Sequence, residues 1–341
     1  MRRSKGYLFG FMMAAVAFLS SQALAQEKLT YCASWIIYGQ MAPMVSGIER
    51  GTFKAEGLDV SYVRGHGSGD TFRRVGTGAC DFGDAGAGPA AIGRAKGIKA
   101  KLFAMMMPKF QQVLYYFADS GIKDPKDIAG KRVTGGPRGS SDILLWPLFA
   151  KVIGVDPEKV EVIYMEPGAK AASLVAGRVD VVFDFHSNLP SYAKVAKEAG
   201  KKLVFSLWAD HGLDLYSNGL VAPDETLAKK KDLTLRFLRA HHNSLIWAFR
   251  NREASVDLFL KKYPEHNREA SVQAQDLFFE HFFDGITEKE GFGRMNREKI
   301  ARTIQITLES VGIKEKLDPE EIYTNEFLDQ LPKEHLFFFK M

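Results

Sequence analysis

Residues able to do chemistry gather in loops that follow strand-like runs. The densest set is Arg138-Gly139-Ser140-Ser141, between KRVTGG and the apolar helical run ILLWPLFAKVIG. Ser140 and Ser141 at a helix start, with free N–H groups beneath, can hold an oxygen of a carboxylate, sulfonate or phosphate. Arg138 can add a two-pronged clamp on the same anion. Trp35 and Tyr38, closing the strand-like LTYCASW and opening the next loop, offer ring faces to a flat ligand. Ser68 and Asp70, Asp84 and Ala85, Glu166, and Asp184-Phe185-His186 complete the candidate set, each just after a run that reads as a strand.

The stretch from Leu58 to Lys101 holds one device twice. LDVSYV alternates apolar and polar, runs into Arg64-Gly65-His66-Gly67-Ser68-Gly69-Asp70-Thr71, and then turns helical at FRRVGTG. CDFGDAG repeats the pattern, with the loop Gly86-Ala87-Gly88-Pro89 before the helix AAIGRAK. Loops at the carboxyl ends of strands are where an open α/β sheet collects a small ligand.

Three sharper motifs fail on their own chemistry. Gly86-x-Gly88-x-x-Ala91 lacks the acidic residue that a dinucleotide site needs about 20 positions on, since Phe103 to Gln112 contains no Asp or Glu. His66-Gly67-Ser68-Gly69 has histidine where a nucleophile elbow needs glycine. His241, His242, His266 and His281 lack the clustered spacing of a metal site, and the expectation for the first two is a solvated helix face. No metal and no cofactor is expected.

The chain has 341 residues with 46% hydrophobic and 26% charged, ordinary for a soluble protein and long enough for two domains. Arg2, Arg3 and Lys5 precede an apolar run from Tyr7 to Leu19, and Ala23-Leu24-Ala25 gives a small-x-small cleavage pattern, so residues 1–25 read as an export signal. Their loss removes three basic residues and lowers the formal net charge from +5 to +2, too little for a nucleic-acid partner. Cys32 and Cys80 then lie in an oxidising compartment, and because adjacent parallel strands rarely offer bridging geometry they are expected as buried thiols.

Strand and helix alternate from Leu29 to about Met106, and again from about Gln111 to Trp208. SNGLVAP reads as a returning strand, and amphipathic helices dominate thereafter. The expected fold class is α/β: two lobes, each a mostly parallel sheet flanked by helices, with a helical tail on the first lobe. The boundaries are 26–114 with 216–341 for lobe 1, and 115–215 for lobe 2.

The ordered string GSGDT, GACDFGDAG, AIGRAKG, SGIKDPKDIAGKRV, GSS, GVDPEKVEVIYM and LVAGRVDVVFDF resembles the periplasmic substrate-binding proteins of ABC importers. Within these it is similar to the NMT1/THI5-like branch of pyrimidine, alkanesulfonate, taurine and nitrate binders, over roughly residues 28 to 250. The resemblance implies a two-lobed fold closing on a small solute, a periplasmic location, and a membrane permease and ATPase as partners of a monomer. Carried over by position, it places contacts at Trp35, Tyr38, Ser68 to Asp70, Asp84 to Gly86, Arg138 to Ser141, Glu166 and Asp184 to His186. Ile36-Ile37-Tyr38-Gly39-Gln40 departs from the polar run that pyrimidine binders carry there. Two ligand readings stay open: a planar solute with an acidic or carbonyl edge, or an aliphatic sulfonate, taurine or nitrate. A thiamine-pyrimidine biosynthetic enzyme is the rival of another class, set against the two isolated cysteines and the export signal. The expectation is a binding protein, not an enzyme.

Overall fold

A computed structural model describes residues 26–340, so the export signal lies outside the described residues. Among the described residues ten strands form two five-stranded sheets. The first is ordered β2-β1-β3-β10-β4, from β1 (Glu27–Cys32), β2 (Leu58–Val63), β3 (Phe82–Gly86), β4 (Ala100–Met105) and β10 (Asn218–Pro223). The second is ordered β7-β6-β8-β5-β9, from β5 (Gln112–Phe117), β6 (Arg132–Gly135), β7 (Glu161–Tyr164), β8 (Val181–Phe185) and β9 (Leu203–Leu207). The chain passes from one sheet to the other between Met105 and Gln112, and returns between Leu207 and Asn218. The strand that follows each crossing, β5 or β10, inserts antiparallel between two strands of its sheet; the other four strands in each sheet point one way.

Continuous burial explains why β3, β5 and β8 lack alternation: helices cover both faces of each sheet, so FGDAG, QVLYYF and VVFDF are buried throughout. The helices that matter for the site are α1 (Ala42–Glu49), α2 (Ser68–Gly76), α3 (Ala87–Ala95), α4 (Ser141–Val152), α5 (Lys170–Val175) and α6 (Leu189–Glu198). The tail adds α7 (Lys231–Arg250), α8 (Arg252–Lys262), α9 (Arg268–Glu280) and α10 (Arg297–Ser310). Phe237 of α7 stacks on Phe82 of β3 at 4.1 Å between ring centroids, fixing the tail to the first sheet. The tail also reaches the second half: α10 packs on both α3 and α4, and α9 on α6.

Two expectations need correction. Cys32 and Cys80 are a disulfide, with Cα atoms 6.0 Å apart. Cys80 precedes β3, which begins at Phe82, so it sits in the bend after α2 rather than on the parallel ladder. The geometric objection to a bridge applied only to cysteines inside the ladder. His241 and His242 are 2% and 1% exposed, not solvated. The helix α7 lies between the sheet and an outer layer of Phe278, Phe292, Phe327 and Phe338, so the side that carries both histidines is covered. Burial lowers the His241 pKa to about 3, leaving it neutral.

Candidate functional site

The carboxyl ends of the strands of both sheets face each other, and side chains from both halves interlock there. Trp35, at 2% exposure, stacks edge-on to Phe185 at 5.4 Å and lies under the Lys170 ammonium, 5.0 Å from its ring. A Cβ on Gly136 would fall 2.4 Å from the Trp35 ring, so that indole reaches the second half only because position 136 is glycine. Tyr38 donates to Gln40 Oε1 at 2.6 Å and meets Ser187 Oγ at 2.8 Å, and Ser187 also donates to Gln40. Below them Ser141 donates to Ser68 Oγ at 2.9 Å, and the Gly69 N–H donates to Gly139 O at 2.9 Å. Gly67 sits at φ +118, and an added Cβ would strike the Gly139 backbone at 2.8 Å. The glycine-rich loops therefore form a seam where backbone meets backbone.

Two buried carboxylate clusters flank this seam. In the first half, Asp84 accepts from Tyr31 OH (2.9 Å), the Ser34 N–H (3.2 Å), the Ser34 hydroxyl and Asn218 Nδ2 (3.2 Å). Burial raises the Asp84 pKa, and these donors pull it back. In the second half, Lys170 places its ammonium 2.8 Å from Asp184 and 3.8 Å from Asp142, with its side chain wholly buried. Asp184 also accepts from Asn188 (2.8 Å) and Tyr192 (2.7 Å). Burial raises the Asp142 pKa against the pull of Lys170.

Of the expected site residues, Trp35, Tyr38, Ser68, Asp84, Ala85, Gly139, Ser140, Ser141, Asp184, Phe185 and His186 come together at this interface. Three do not. Arg138 is exposed and stacks on the Tyr164 ring at 4.1 Å, facing away from the seam. Asp70 pairs with Arg73 one helical turn on. Glu166 stands at the mouth, 3.6 Å from Arg64, where both are largely exposed. The anion cradle drawn from the serine loop is also taken up internally. The Ser140 hydroxyl donates to Asp142 and to Pro137 O rather than capping α4, and the Gly86 N–H donates to Ser68.

His186 meets His281, at the end of α9, at 3.2 Å. Burial lowers both pKa values; His281, next to His186 and Lys109, falls to about 3. Sequence reasoning missed Tyr31, Ser34, Gln40, Asp142, Lys170, Ser187 and Asn218. One signal was available: a lysine in the first turn of a helix sits at the wrong end of the helix dipole, so Lys170 needed a carboxylate nearby. Among the described residues no group of three or more His, Cys, Asp or Glu is placed to hold a metal, and no helix is long and apolar enough to cross a membrane.

The comparisons agree with this architecture. A riboflavin-binding protein, RibY, of Chloroflexus aurantiacus is 21% identical over 309 residues, covering 89% of this chain and 86% of its own length. A zinc-bound ligand-binding component of an ABC-type import system from Staphylococcus aureus matches at a TM-score of 0.68 with 15% identity, covering 90% of this chain and 100% of that one. The periplasmic aliphatic sulphonate binding protein SsuA of Escherichia coli matches at 0.66 with 16% identity, covering 89% and 99%. At such identities the solved structures establish a shared fold, that of the periplasmic binding proteins. The sequence pattern described as NMT1/THI5 like matches residues 39–255, most of the described chain, and the protein belongs to that family.

Proposed function

We propose that the chain is the periplasmic solute-binding component of an ABC importer, working as a monomer that passes a small solute to an inner-membrane permease and ATPase. The observation that carries this is the buried seam itself, where aromatic and hydrogen-bonding side chains from both halves meet at the strand ends. In this reading the lobes drawn at 26–114 with 216–341 and at 115–215 shift to 26–105 with 218–340 and to 112–207, so that β5 stays whole, and they hinge on the two crossings between. A solute that touches both lobes favours the closed form, and no bond is made or broken.

The residues favour a planar, uncharged solute over an aliphatic sulfonate. Trp35, Tyr38 and Phe185 supply ring faces. The seam holds three buried carboxylates, Asp84, Asp142 and Asp184, against one ammonium, which two of them already engage. An anion entering there meets net repulsion, and Arg138 is turned away. RibY, named for a flavin, is the relative that fits this chemistry.

A thermal-shift series on residues 26–341, refolded from denaturant, tests it. The panel is riboflavin, the aminopyrimidine of thiamine, benzoate, ethanesulfonate, taurine and nitrate. At about 100-fold over its dissociation constant, a binder adds about 2.7 kcal/mol and raises the midpoint by a few degrees. The expected result is a shift with a planar ring, recovered chemically unchanged, that Arg138→Ala leaves intact. A shift with sulfonates alone, abolished by Arg138→Ala, would overturn the ligand reading. Turnover of a panel member would overturn the transport reading.

A further inference from the structure

The crossings between the two halves are lined by polar atoms that have no partner among the described residues. Gln112 and Asn218, the first residues of β5 and β10, are 1% and 2% exposed, and Gln112 Oε1 and Asn218 Oδ1 are both unpartnered. So are Trp35 Nε1, both amide atoms of Gln111 and the Ser217 hydroxyl. Lack of a partner alone does not mark a ligand, since Trp208 Nε1 is equally unpartnered within the core of the second half. What distinguishes the first group is its position. Gln112 pairs with Phe185 across β5 and β8, which puts it on the sheet face from which Phe185 meets Trp35. A Cβ built on Gly86 would lie 3.1 Å from Ser141 Oγ and 3.5 Å from Asn218 Oδ1, so that oxygen faces the seam between the halves.

We infer that Asn218 and Gln112 read hydrogen-bond donors of the solute from the hinge, with the Trp35 indole N–H reading an acceptor beside them. This rests on the solute-binding reading above and sharpens it. Asn218 cannot reverse its amide: Nδ2 donates to Ser34 Oγ at 2.8 Å and to Asp84 Oδ2 at 3.2 Å, so the free oxygen is held toward the seam. A sulfonate or nitrate presents only acceptors and leaves that oxygen unpaired. An uncharged ring with an N–H or NH2 next to a carbonyl or ring nitrogen satisfies the group. Because both residues head the strands that follow the crossings, a solute bound to them touches the pivot itself, and its fit is coupled to closure.

The test uses paired probes that differ by one donor group: riboflavin against 3-methylriboflavin, and the thiamine aminopyrimidine against its 4-dimethylamino analogue, with ethanesulfonate as the acceptor-only control. Dissociation constants are measured by calorimetry for the wild type, Asn218→Ala and Gln112→Leu. We expect the better N–H probe to weaken about 10- to 100-fold in either variant, with its N-methylated partner weaker by a similar factor in the wild type and indifferent to the substitutions. Asn218→Ala also removes the bonds to Ser34 and Asp84 and so lowers the ligand-free melting temperature in any case; weakening both members of a pair equally would mean a structural role alone, which overturns the inference. Equal binding of N–H and N-methyl probes by the wild type overturns it too. Binding of ethanesulfonate alone sinks it and leaves the receptor reading standing. Binding of no probe sinks both.

Discussion

Asp84 and Asp184 occupy matching places in the two halves. Each lies on the strand that pairs antiparallel with the one following a crossing, Asp84 opposite Leu220 and Asp184 opposite Val113. Each accepts from a tyrosine hydroxyl and an asparagine amide, Tyr31 and Asn218 in one case, Tyr192 and Asn188 in the other. Each also accepts from a backbone N–H, of Ser34 or of Phe185, and they differ in the last partner. Asp84 is completed by neutral donors from Ser34, whereas Asp184 is completed by the Lys170 ammonium, which also faces Asp142. One framework thus carries two solutions to burying a carboxylate. Dipoles alone face one charge, and a cation is added where two carboxylates share a site.

The comparison breaks most visibly at Lys170. Lys170→Met keeps the volume and removes the charge, leaving Asp142 and Asp184 buried without a cation. The expected loss is about 3–5 kcal/mol in urea unfolding, with partial recovery when Asp142→Asn is added. A loss below about 1 kcal/mol would mean that dipoles suffice in the second half as well.

The halves also differ covalently. The first is tied by Cys32–Cys80, which closes a segment of 48 residues and anchors the strand leading into Ser34 and Trp35. The chain holds no third cysteine, so the second half has no such tie. The double change Cys32→Ser with Cys80→Ser is expected to cost about 2–4 kcal/mol, and dithiothreitol should lower the wild-type urea midpoint toward the variant's. An unchanged midpoint on full reduction would show that the first half holds its shape by packing alone.

The framework of this comparison was legible in the sequence, and its chemistry was legible only in part. Runs such as VDVVFDF and QQVLYYF declare central strands because both sheet faces are covered, and the glycine loops after them declare strand ends. That sufficed to place Trp35, Tyr38, Ser68, Ser141, Asp184 and Phe185 at one surface. Direction was not legible. Arg138 shares a loop with Ser140 but faces outward onto Tyr164, a neighbour 26 positions away that no local pattern names. Asn218 looked like one more residue of a returning strand, and its role follows from register with Gly86. His241 and His242 were misread for a related reason: a helix's own sequence does not show that a second layer of phenylalanines covers the side that carries them.

The subtlest difference concerns protons. Burial raises the Asp84 pKa, so the folded state holds that proton to higher pH than the unfolded chain does. A carboxyl shifted this way contributes stability that is full below its unfolded value and is lost as pH rises through the folded one. Asp84→Asn removes that contribution while keeping the shape: its oxygen keeps Tyr31 and the Ser34 N–H, and the Ser34 hydroxyl and Asn218 amide can reverse to accept from its NH2. The Asp142 pKa is raised by the same cause and stays in both proteins, so it cancels in the difference. Unfolding free energies of wild type and Asp84→Asn, measured from pH 4 to 7.5, should therefore diverge as pH rises, with the variant gaining by no more than one proton's slope, about 1.4 kcal/mol per pH unit. Parallel curves would mean that Ser34, Tyr31 and Asn218 compensate the burial of Asp84 fully, so that neutral donors stabilise a buried carboxylate as well as water does.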